Sequence, residues 1–181
     1  MTAHTSTRTH TVIESPVGPL TLVAADGRLC GLYMTDQRHR PPEETFGPRD
    51  DAEPLFARTA EQLTAYFAGE LTTFRLPLAL EGTPFRRRVW AALQDIPYGE
   101  TLSYGQLADR LGQPGASRAV GLANGRNPVG IVVPCHRVVG ATGSLTGYGG
   151  GLDRKRQLLA LERGGVPAAV AGPPTVQEGI F

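Results

Sequence analysis

The sequence has only two cysteines, Cys30 and Cys135, and this scarcity excludes a fold stapled by disulfides. It also lacks the cluster of Cys and His residues that a structural zinc site requires, so no metal and no cofactor are predicted. No apolar run is long enough to cross a membrane, and residues 1–10 lack the apolar core of a secretory signal. We therefore predict a cytoplasmic protein with no membrane partner and with reduced cysteines.

The charge of the chain is close to balanced but unevenly distributed. Residues 1–81 contain 7 Arg and 11 Asp or Glu, a net charge of −4, whereas residues 82–181 contain 10 Arg, 1 Lys and 6 Asp or Glu, a net charge of +5. A basic half is typical of a surface that faces a polyanion. Ordinary surface scatter explains the same numbers equally well, so charge alone does not decide between the two.

The first 81 residues predict a small α/β domain. Residues 11–34 contain strand-like runs, and Asp26-Gly27 between two of them is a strong hairpin signal. Apolar residues at helical spacing follow from Leu55 to Phe67, and residues 71–80 fit a further strand. This part of the chain has no convincing catalytic set, so we predict that it supports the rest.

The second half predicts helices, two of which form a helix-turn-helix. Thr83 and Pro84 suit the start of one helix, and Ser103 lies three residues before Gln106, the spacing of a capping box. After a turn at residues 113–115, Ser117 is placed to cap a second helix, which runs to about residue 125.

Small side chains give that second helix a thin face. Ala119, Gly121 and Ala123 would allow a partner to approach the backbone closely. Close contact with a DNA groove and tight packing in the core both explain this composition, and the residues leave the choice open. A last helix, from residue 152 to Glu162, is predicted with its leucines inward and residues 154–156, including Lys155, outward.

An apolar run, Ile131-Val132-Val133, leads into Pro134-Cys135-His136-Arg137. The run predicts a buried strand that stops at Pro134, because proline cannot continue a central ladder, and that delivers Cys135 into a tight turn. The neighbouring His136 lies where it can influence the charge of the sulfur. A thiolate is the useful nucleophile, and a free cysteine, with a pKa of about 8.5, is mostly protonated at neutral pH. From these residues alone, an inert buried cysteine beside an incidental histidine remains an alternative.

Several motifs together resemble the O6-alkylguanine-DNA alkyltransferases, also called methylated-DNA–protein-cysteine methyltransferases. The most specific is Pro-Cys-His-Arg-Val at residues 134–138. Supporting matches lie in the family's order from about residue 11 to residue 165: Ser15-Pro16-Val17-Gly18, Tyr98-Gly99, Ser103-Tyr104, Arg118-Ala119-Val120-Gly121, Asn127-Pro128 and Gly147-Tyr148-Gly149-Gly150-Gly151.

The resemblance implies a two-domain fold of the α/β class. Residues 1–81 would form a small ribonuclease H-like α/β domain, residues 82–165 a mainly helical DNA-binding and transfer domain with the helix-turn-helix, and residues 166–181 a loose tail. The implied activity is transfer of an alkyl group from O6 of guanine, and from O4 of thymine, in duplex DNA to the protein's own cysteine. The acceptor is not regenerated. The implied partner is duplex DNA carrying O6-alkylguanine, bound by a monomer, with cooperative binding left open.

The resemblance also implies catalytic roles. Cys135 would be the nucleophile, His136 the base acting through a water molecule, and Glu162 the group that holds the imidazole in the required tautomer. Asn127 would position the turn that carries the sulfur. Without the resemblance, Glu162 would be interpreted as an exposed charge at a helix end and Asn127 as a helix C-cap.

Further roles concern DNA and the base. Because the target atom is inaccessible inside a duplex, the base must be flipped out. Arg118 would fill the gap that the base leaves, and Tyr104 would crowd a phosphate and reach the guanine ring. The remaining implied residues are Ser103, Ala119, Gly121 and Ala123 at the minor groove, and Val138, Tyr148, Gly149 and Gly150 in the base pocket.

Two positions depart from the pattern of some members of this family. Gly130 stands where a proline can stack on bulky groups, and Gly149 where a serine can occur, which leaves the range of bulky substrates open.

Three other classes of protein compete with this interpretation. A binding module that recognises damaged bases without transfer lacks the reactive cysteine, so Cys135 argues against that class. A transcription factor would present Arg, Gln or Asn on its recognition helix, whereas the second helix here has a face of Ala and Gly. A cysteine hydrolase would turn over, so stoichiometry distinguishes it.

Overall fold

The structure is a computed structural model, and it describes residues 7–164. Three strands, β1 (Arg8–Ile13), β2 (Leu20–Ala25) and β3 (Arg28–Met34), form an antiparallel sheet in that order. Residues alternate between the two faces of β2, with Leu22 in the main core and Val23 in a second apolar cluster. The predicted tail at 166–181 lies outside the described residues.

Local signals in this domain produced the predicted turn and helix. Asp26 and Gly27 both have positive φ, 52° and 75°, as a two-residue hairpin turn between β2 and β3 requires. Helix α1 (Pro54–Phe67) follows a short 3₁₀ helix and contributes Leu55, Leu63 and Phe67 to the core. The strand predicted for residues 71–80 is wrong, because only Leu78 forms a bridge there and proline at 77 removes a donor.

Four helices and two short strands make up the remainder of the described chain. These are α2 (Pro84–Leu93), β4 (Leu102–Ser103), α3 (Tyr104–Arg110), α4 (Ser117–Gly125), β5 (Val138–Val139) and α5 (Leu152–Glu162), with β4 parallel to β5. Thr83 caps α2, and the capping box of Ser103 and Gln106 is formed in full at α3, as predicted. Ser117 does not cap α4; it is the first helical residue, and Ala116 precedes it without a side-chain cap.

The apolar run before Cys135 does not form the predicted strand. Residues 130–133 form consecutive turns, with hydrogen bonds from Val133 N to Val129 O (3.0 Å) and from Cys135 N to Val133 O (2.8 Å). Ile131 has a φ of 70°, an uncommon and strained conformation for a β-branched residue. The run is apolar because it is buried, and burial alone does not distinguish a strand from a turn.

The free edge of β3 connects the sheet to the segment that carries Cys135. Leu32 N donates to Pro128 O at 2.9 Å, and Gly130 N donates to Leu32 O at 3.4 Å. Three residues along, Leu29 exchanges backbone hydrogen bonds with residues 77 and 79 in the same way. Both contacts cover an edge that would otherwise be open for pairing. The N-terminal sheet therefore holds the residues that lead into the site.

Candidate active site

Cys135 begins a 3₁₀ turn (Cys135–Arg137) and is 7% exposed. Asn127 fixes the chain before it, because its amide donates to Val133 O at 2.8 Å and its carbonyl accepts from Val129 N at 3.0 Å. The Asn127 side chain also acts to lower the pKa of the Cys135 thiol. It therefore clamps the turn that carries the sulfur, whereas Arg126 provides the C-cap position of α4.

The resting state of Cys135 is a thiol. Burial raises the pKa of Cys135, and this effect exceeds the lowering by the Asn127 hydrogen bond and by the positive charge of Lys155. A buried thiol of raised pKa has a negligible thiolate fraction at neutral pH. The sulfur therefore needs a base at the moment when it reacts.

His136, the residue after Cys135, forms a buried pair with Glu162. His136 Nε2 lies 2.6 Å from Glu162 Oε2, and both side chains are almost fully shielded from solvent, 0% and 1% exposed. A carboxylate only accepts, so Nε2 carries the proton and donates it. Burial lowers the pKa of His136 despite the opposing effect of Glu162, so the ring is neutral. Its Nδ1 is then a buried acceptor with no partner among the described residues.

Three donors to Glu162 were not predicted from the sequence, and one of them is the backbone N–H of Gly99, at 3.4 Å. Arg137 binds the carboxylate through two nitrogens, at 2.7 and 3.1 Å, and Tyr66 of α1 donates to it at 2.6 Å. Burial by itself raises the pKa of Glu162, but the hydrogen bonds from His136, Arg137 and Tyr66 outweigh it and hold that pKa well below its usual range. An arginine inside an apolar run was the available signal, because a buried cation must be paired.

Lys155 was predicted to point outward, and that prediction is wrong. The side chain is fully buried, and its Nζ donates to the carbonyls of Val138 (2.6 Å), Thr146 (3.0 Å) and Gly147 (3.3 Å). Burial lowers the pKa of Lys155 to about 8, and a thiolate at Cys135 would act in the opposite direction. The signal in the sequence was its spacing, because Lys155 shares the inner face of α5 with residues 158, 159 and 162.

A cavity of about 130 Å³ opens above Cys135. Tyr104 closes one side, with its hydroxyl donating to Thr146 O at 2.9 Å, and Tyr148 is half-buried on another. A side chain at Gly150 would collide with Met34 of β3 and with the ring of Tyr148, so this close approach requires glycine. The remaining predicted pocket residues behave differently: Gly149 lines the cavity, whereas Val138 is fully buried and presents its carbonyl to Lys155.

The exposed face of α4 borders this cavity. Arg118 and Ala119 are exposed and Gly121 is half-buried, whereas Ser103 serves as the N-cap of α3. Ala123 was predicted on the DNA-facing side, and for its side chain that is wrong. It is 2% exposed in the core, and its carbonyl accepts from Trp90 Nε1 at 2.8 Å.

The residue that the sequence did not single out on this face is Leu122. It is 71% exposed and lines the cavity. The small residues of α4 therefore have two roles. Ala123 packs tightly against α2, whereas Ala119 and Gly121, with the neighbouring Leu122, stay accessible to solvent.

Neither a metal cluster nor a membrane span occurs in the described part of the chain. Residues 7–164 contain no group of three or more His, Cys, Asp or Glu side chains that could hold a metal ion. Within that same range, no helix is both long and apolar enough to span a bilayer.

These features define a class of protein: helix-turn-helix proteins with a buried cysteine at a cavity, followed in the chain by a histidine that a buried carboxylate holds. Comparison with known families gives the particular one. The model of the 6-O-methylguanine DNA methyltransferase DNA-binding domain matches residues 84–164, and the model of the ribonuclease-like domain of the same proteins matches residues 9–80. The chain belongs to the 6-O-methylguanine DNA methyltransferase family, and the predicted two-domain fold class is confirmed.

Individual relatives agree with this assignment over nearly the whole chain. The methylated-DNA–protein-cysteine methyltransferase of Mycolicibacterium paratuberculosis is 59% identical over 160 residues, which cover 87% of this chain and 94% of the relative. Its counterpart in Methanosarcina acetivorans is 50% identical over 153 residues, covering 84% and 97%. The crystal structure of Mycobacterium tuberculosis OGT in complex with DNA superposes with a TM-score of 0.82 at 55% identity, covering 88% of this chain and 96% of that one.

Proposed function

We propose that this protein repairs O6-alkylguanine in duplex DNA by transferring the alkyl group irreversibly to Cys135. Membership of the family establishes the general activity, the repair of DNA by alkyl transfer to a cysteine. The observation that supports Cys135 as the acceptor is the neighbouring His136, which is neutral, held by Glu162 and left with a free Nδ1.

The proposed chemistry is a displacement at the carbon attached to O6. His136 Nδ1 accepts the thiol proton of Cys135 through a bridging water molecule, and Glu162 stabilises the imidazolium that results. The thiolate then attacks the alkyl carbon, so that an S–C bond forms as the C–O6 bond breaks. The electron pair of that bond stays on the guanine, which takes up one proton to replace the lost alkyl group, and His136 gives up the thiol proton and returns to its neutral form. The products are S-alkylcysteine and unmodified guanine.

The proposed roles of α4 and Tyr104 concern extrusion of the base. Arg118 is exposed at the first turn of α4, where it can occupy the space that the flipped nucleotide vacates. Tyr104 lies at the border of the Cys135 cavity and is anchored to Thr146. Contact through the minor groove suits a protein that acts at any sequence, because few sequence differences can be read there.

In the pocket, we propose that the carbonyls of Cys135 and Val138 accept from the guanine amino group and that the amide of Gly149 donates near O6. The carbonyl of Cys135 is already held by Asn124 Nδ2 at 3.3 Å and that of Val138 by Lys155. The Cys135 carbonyl also accepts from the backbone N–H of Val138, so both of its lone pairs are used and the guanine amino group would replace Asn124 Nδ2 there. We extend the same chemistry to O4 of thymine, whose alkylated oxygen is a comparable leaving group.

The proposal assigns different tasks to the two parts of the chain. Residues 1–81 support the site, for example through Tyr66 and the free edge of β3, and residues 82–165 bind DNA and react. We also propose a cytoplasmic, reducing location, because the acceptor must be a free thiol, and both cysteines are free among the described residues.

Stoichiometry tests this function. With an excess of duplex containing O6-methylguanine, we expect one equivalent of guanine restored per protein and then no further reaction. Continued turnover would instead indicate a hydrolase. An Arg118→Ala variant should lose far more activity on duplex than on the free base O6-methylguanine, which needs no flipping. Equal losses on both substrates would contradict the role of Arg118.

A further inference from the structure

A second groove of about 160 Å³ continues from the mouth of the Cys135 cavity. It lies between the loop that follows β3 in the N-terminal domain, helix α2 and the end of α4. Gln37, Arg38 and His39 line both the groove and the cavity, as do Gly125 and Asn127. A strand that places a nucleotide over Cys135 therefore meets this groove at the cavity mouth.

The groove is basic. Four basic residues line it, namely Arg38, His39, Arg86 and Arg126, and we call it the basic groove. The pKa of His39 is lowered, by loss of solvent and then by the positive charges of Arg126, Arg38 and Arg86, so the three guanidinium groups act on one imidazole. An anion bound among charges that repel one another in this way would relieve their repulsion.

The protein supplies no such anion within residues 7–164. None of the three guanidinium groups has a hydrogen bond or an ion pair with another described residue, unlike the paired Arg137 and Arg154. Glu81 also lines the groove, but its carboxylate is engaged by Arg8 at 2.8 Å. The three guanidiniums are therefore free to bind a ligand.

We propose that the basic groove binds the backbone phosphate of the DNA strand that carries the damaged nucleotide, next to the flipped base. Arginine is the side chain best suited to a phosphate, because its planar fork donates in pairs. Because the groove joins the cavity, the phosphate that it reaches is one that flanks the extruded nucleotide. The N-terminal domain then binds DNA directly, through Arg38 and His39, beyond its supporting task. This inference rests on the proposed function, since it needs DNA at Cys135.

The test compares two triple variants of equal charge. The groove variant carries R38Q, R86Q and R126Q. The control variant carries R28Q, R58Q and R163Q, whose arginines are exposed and lie outside both the groove and the cavity. The dissociation constant for a duplex containing O6-methylguanine is measured for each at several salt concentrations.

We expect the groove variant to bind the duplex about 10-fold or more weakly at low salt, with a salt slope smaller by about 1 for each phosphate that is no longer neutralised. The control variant should stay within about threefold of the wild type, since long-range charge alone is screened. Single R38E and R126E variants should show the same defect. Equal affinities and equal slopes for the two triple variants would overturn the proposal.

Two further readouts separate this inference from its alternatives. The groove variant should lose far less reactivity with free O6-methylguanine than with the duplex, because the free base has no phosphate. If the wild type itself fails to react with the O6-methylguanine duplex, the proposed function fails and not the groove alone. If the groove variant loses only cooperative binding on long DNA while its affinity for a single site is retained, the groove contacts a second copy of the protein and the proposal is wrong.

Discussion

Replacing Glu162 by glutamine tests the buried network behind Cys135, because it removes one charge and keeps the shape. The carboxylate accepts from His136, from Tyr66 and twice from Arg137. A neutral amide leaves Arg137, whose side chain is 8% exposed, as a buried cation without a counter-charge. Breaking such a pair from one side costs about 3–5 kcal/mol, so we expect E162Q to lose at least about 3 kcal/mol of unfolding free energy.

The same substitution should slow the reaction. Without the carboxylate, the imidazolium that forms when His136 takes the thiol proton has no negative partner. The amide can also stabilise the wrong tautomer, because it can donate a proton as well as accept one. Positioned general bases contribute about 10²- to 10⁴-fold to rate, so we expect single-turnover transfer from O6-methylguanine duplex to fall about 100-fold or more. Stability is measured by urea denaturation and transfer by rapid quench.

The matched control is Tyr66→Phe, which removes one neutral donor from the same carboxylate. It leaves the ion pair and the tautomer intact, so it should cost about 1–2 kcal/mol and change the transfer rate only a few fold. The reasoning is refuted if E162Q is as stable as Y66F, or if E162Q transfers the alkyl group at the wild-type rate.

Three other predictions concern the rest of the molecule. Gly47→Ala should destabilise the protein far more than Gly27→Ala. Both glycines have positive φ (76° and 75°), but of the two only Gly47 has backbone where a Cβ would lie. We expect losses of more than about 3 and about 1 kcal/mol in thermal unfolding, and similar losses for the two variants would contradict this. Lys155→Met should cost about 2 kcal/mol in urea, because three carbonyls lose their donor, and an unchanged midpoint would refute it. The free energy of unfolding should decrease as the pH is lowered below about 6.5, because the pKa of His136 is lowered in the folded state and only the unfolded state binds that proton. The lowered pKa of Glu162 adds a further loss below about pH 4.3. A free energy of unfolding that does not change in acid would contradict the role of this network.

Features that depend on a few neighbouring residues were predictable from the sequence. The caps at Thr83 and Ser103 and the turn at Asp26-Gly27 were confirmed, because a cap or a two-residue turn is decided by side chains within one helical turn. The predicted cap at Ser117 was not confirmed, because Ser117 is already the first residue of α4 and Ala116 takes the N-cap position.

Features that depend on tertiary partners were not predictable in the same way. The apolar run at 130–133 forms turns because Asn127 and the edge of β3 satisfy its backbone, and neither contact is encoded in its periodicity. Lys155 is buried because three loop carbonyls surround its ammonium group, although a lone lysine on a helix is usually exposed.

Within the site, the sequence indicated the reacting residues but not all of the network behind them. The pairing of His136 with Glu162 was expected only through the resemblance, and the structure places the two atoms at 2.6 Å. Arg137 and Tyr66 were missed as partners of Glu162 because they come from a turn and from α1, far apart in the sequence. Long-range convergence of this kind requires the fold.

The central claim is that Cys135 is the acceptor, and the chain contains its own internal control. Cys30 is also free and buried, with a pKa raised by burial, but within residues 7–164 the histidine–glutamate ion pair is formed by His136, the residue that follows Cys135. The most direct measurement is peptide mass mapping after reaction with duplex DNA containing O6-methylguanine. We expect one added methyl group on the peptide that contains Cys135 and none on the peptide that contains Cys30. A methyl group on Cys30, or an unmodified Cys135 after complete repair, would contradict it.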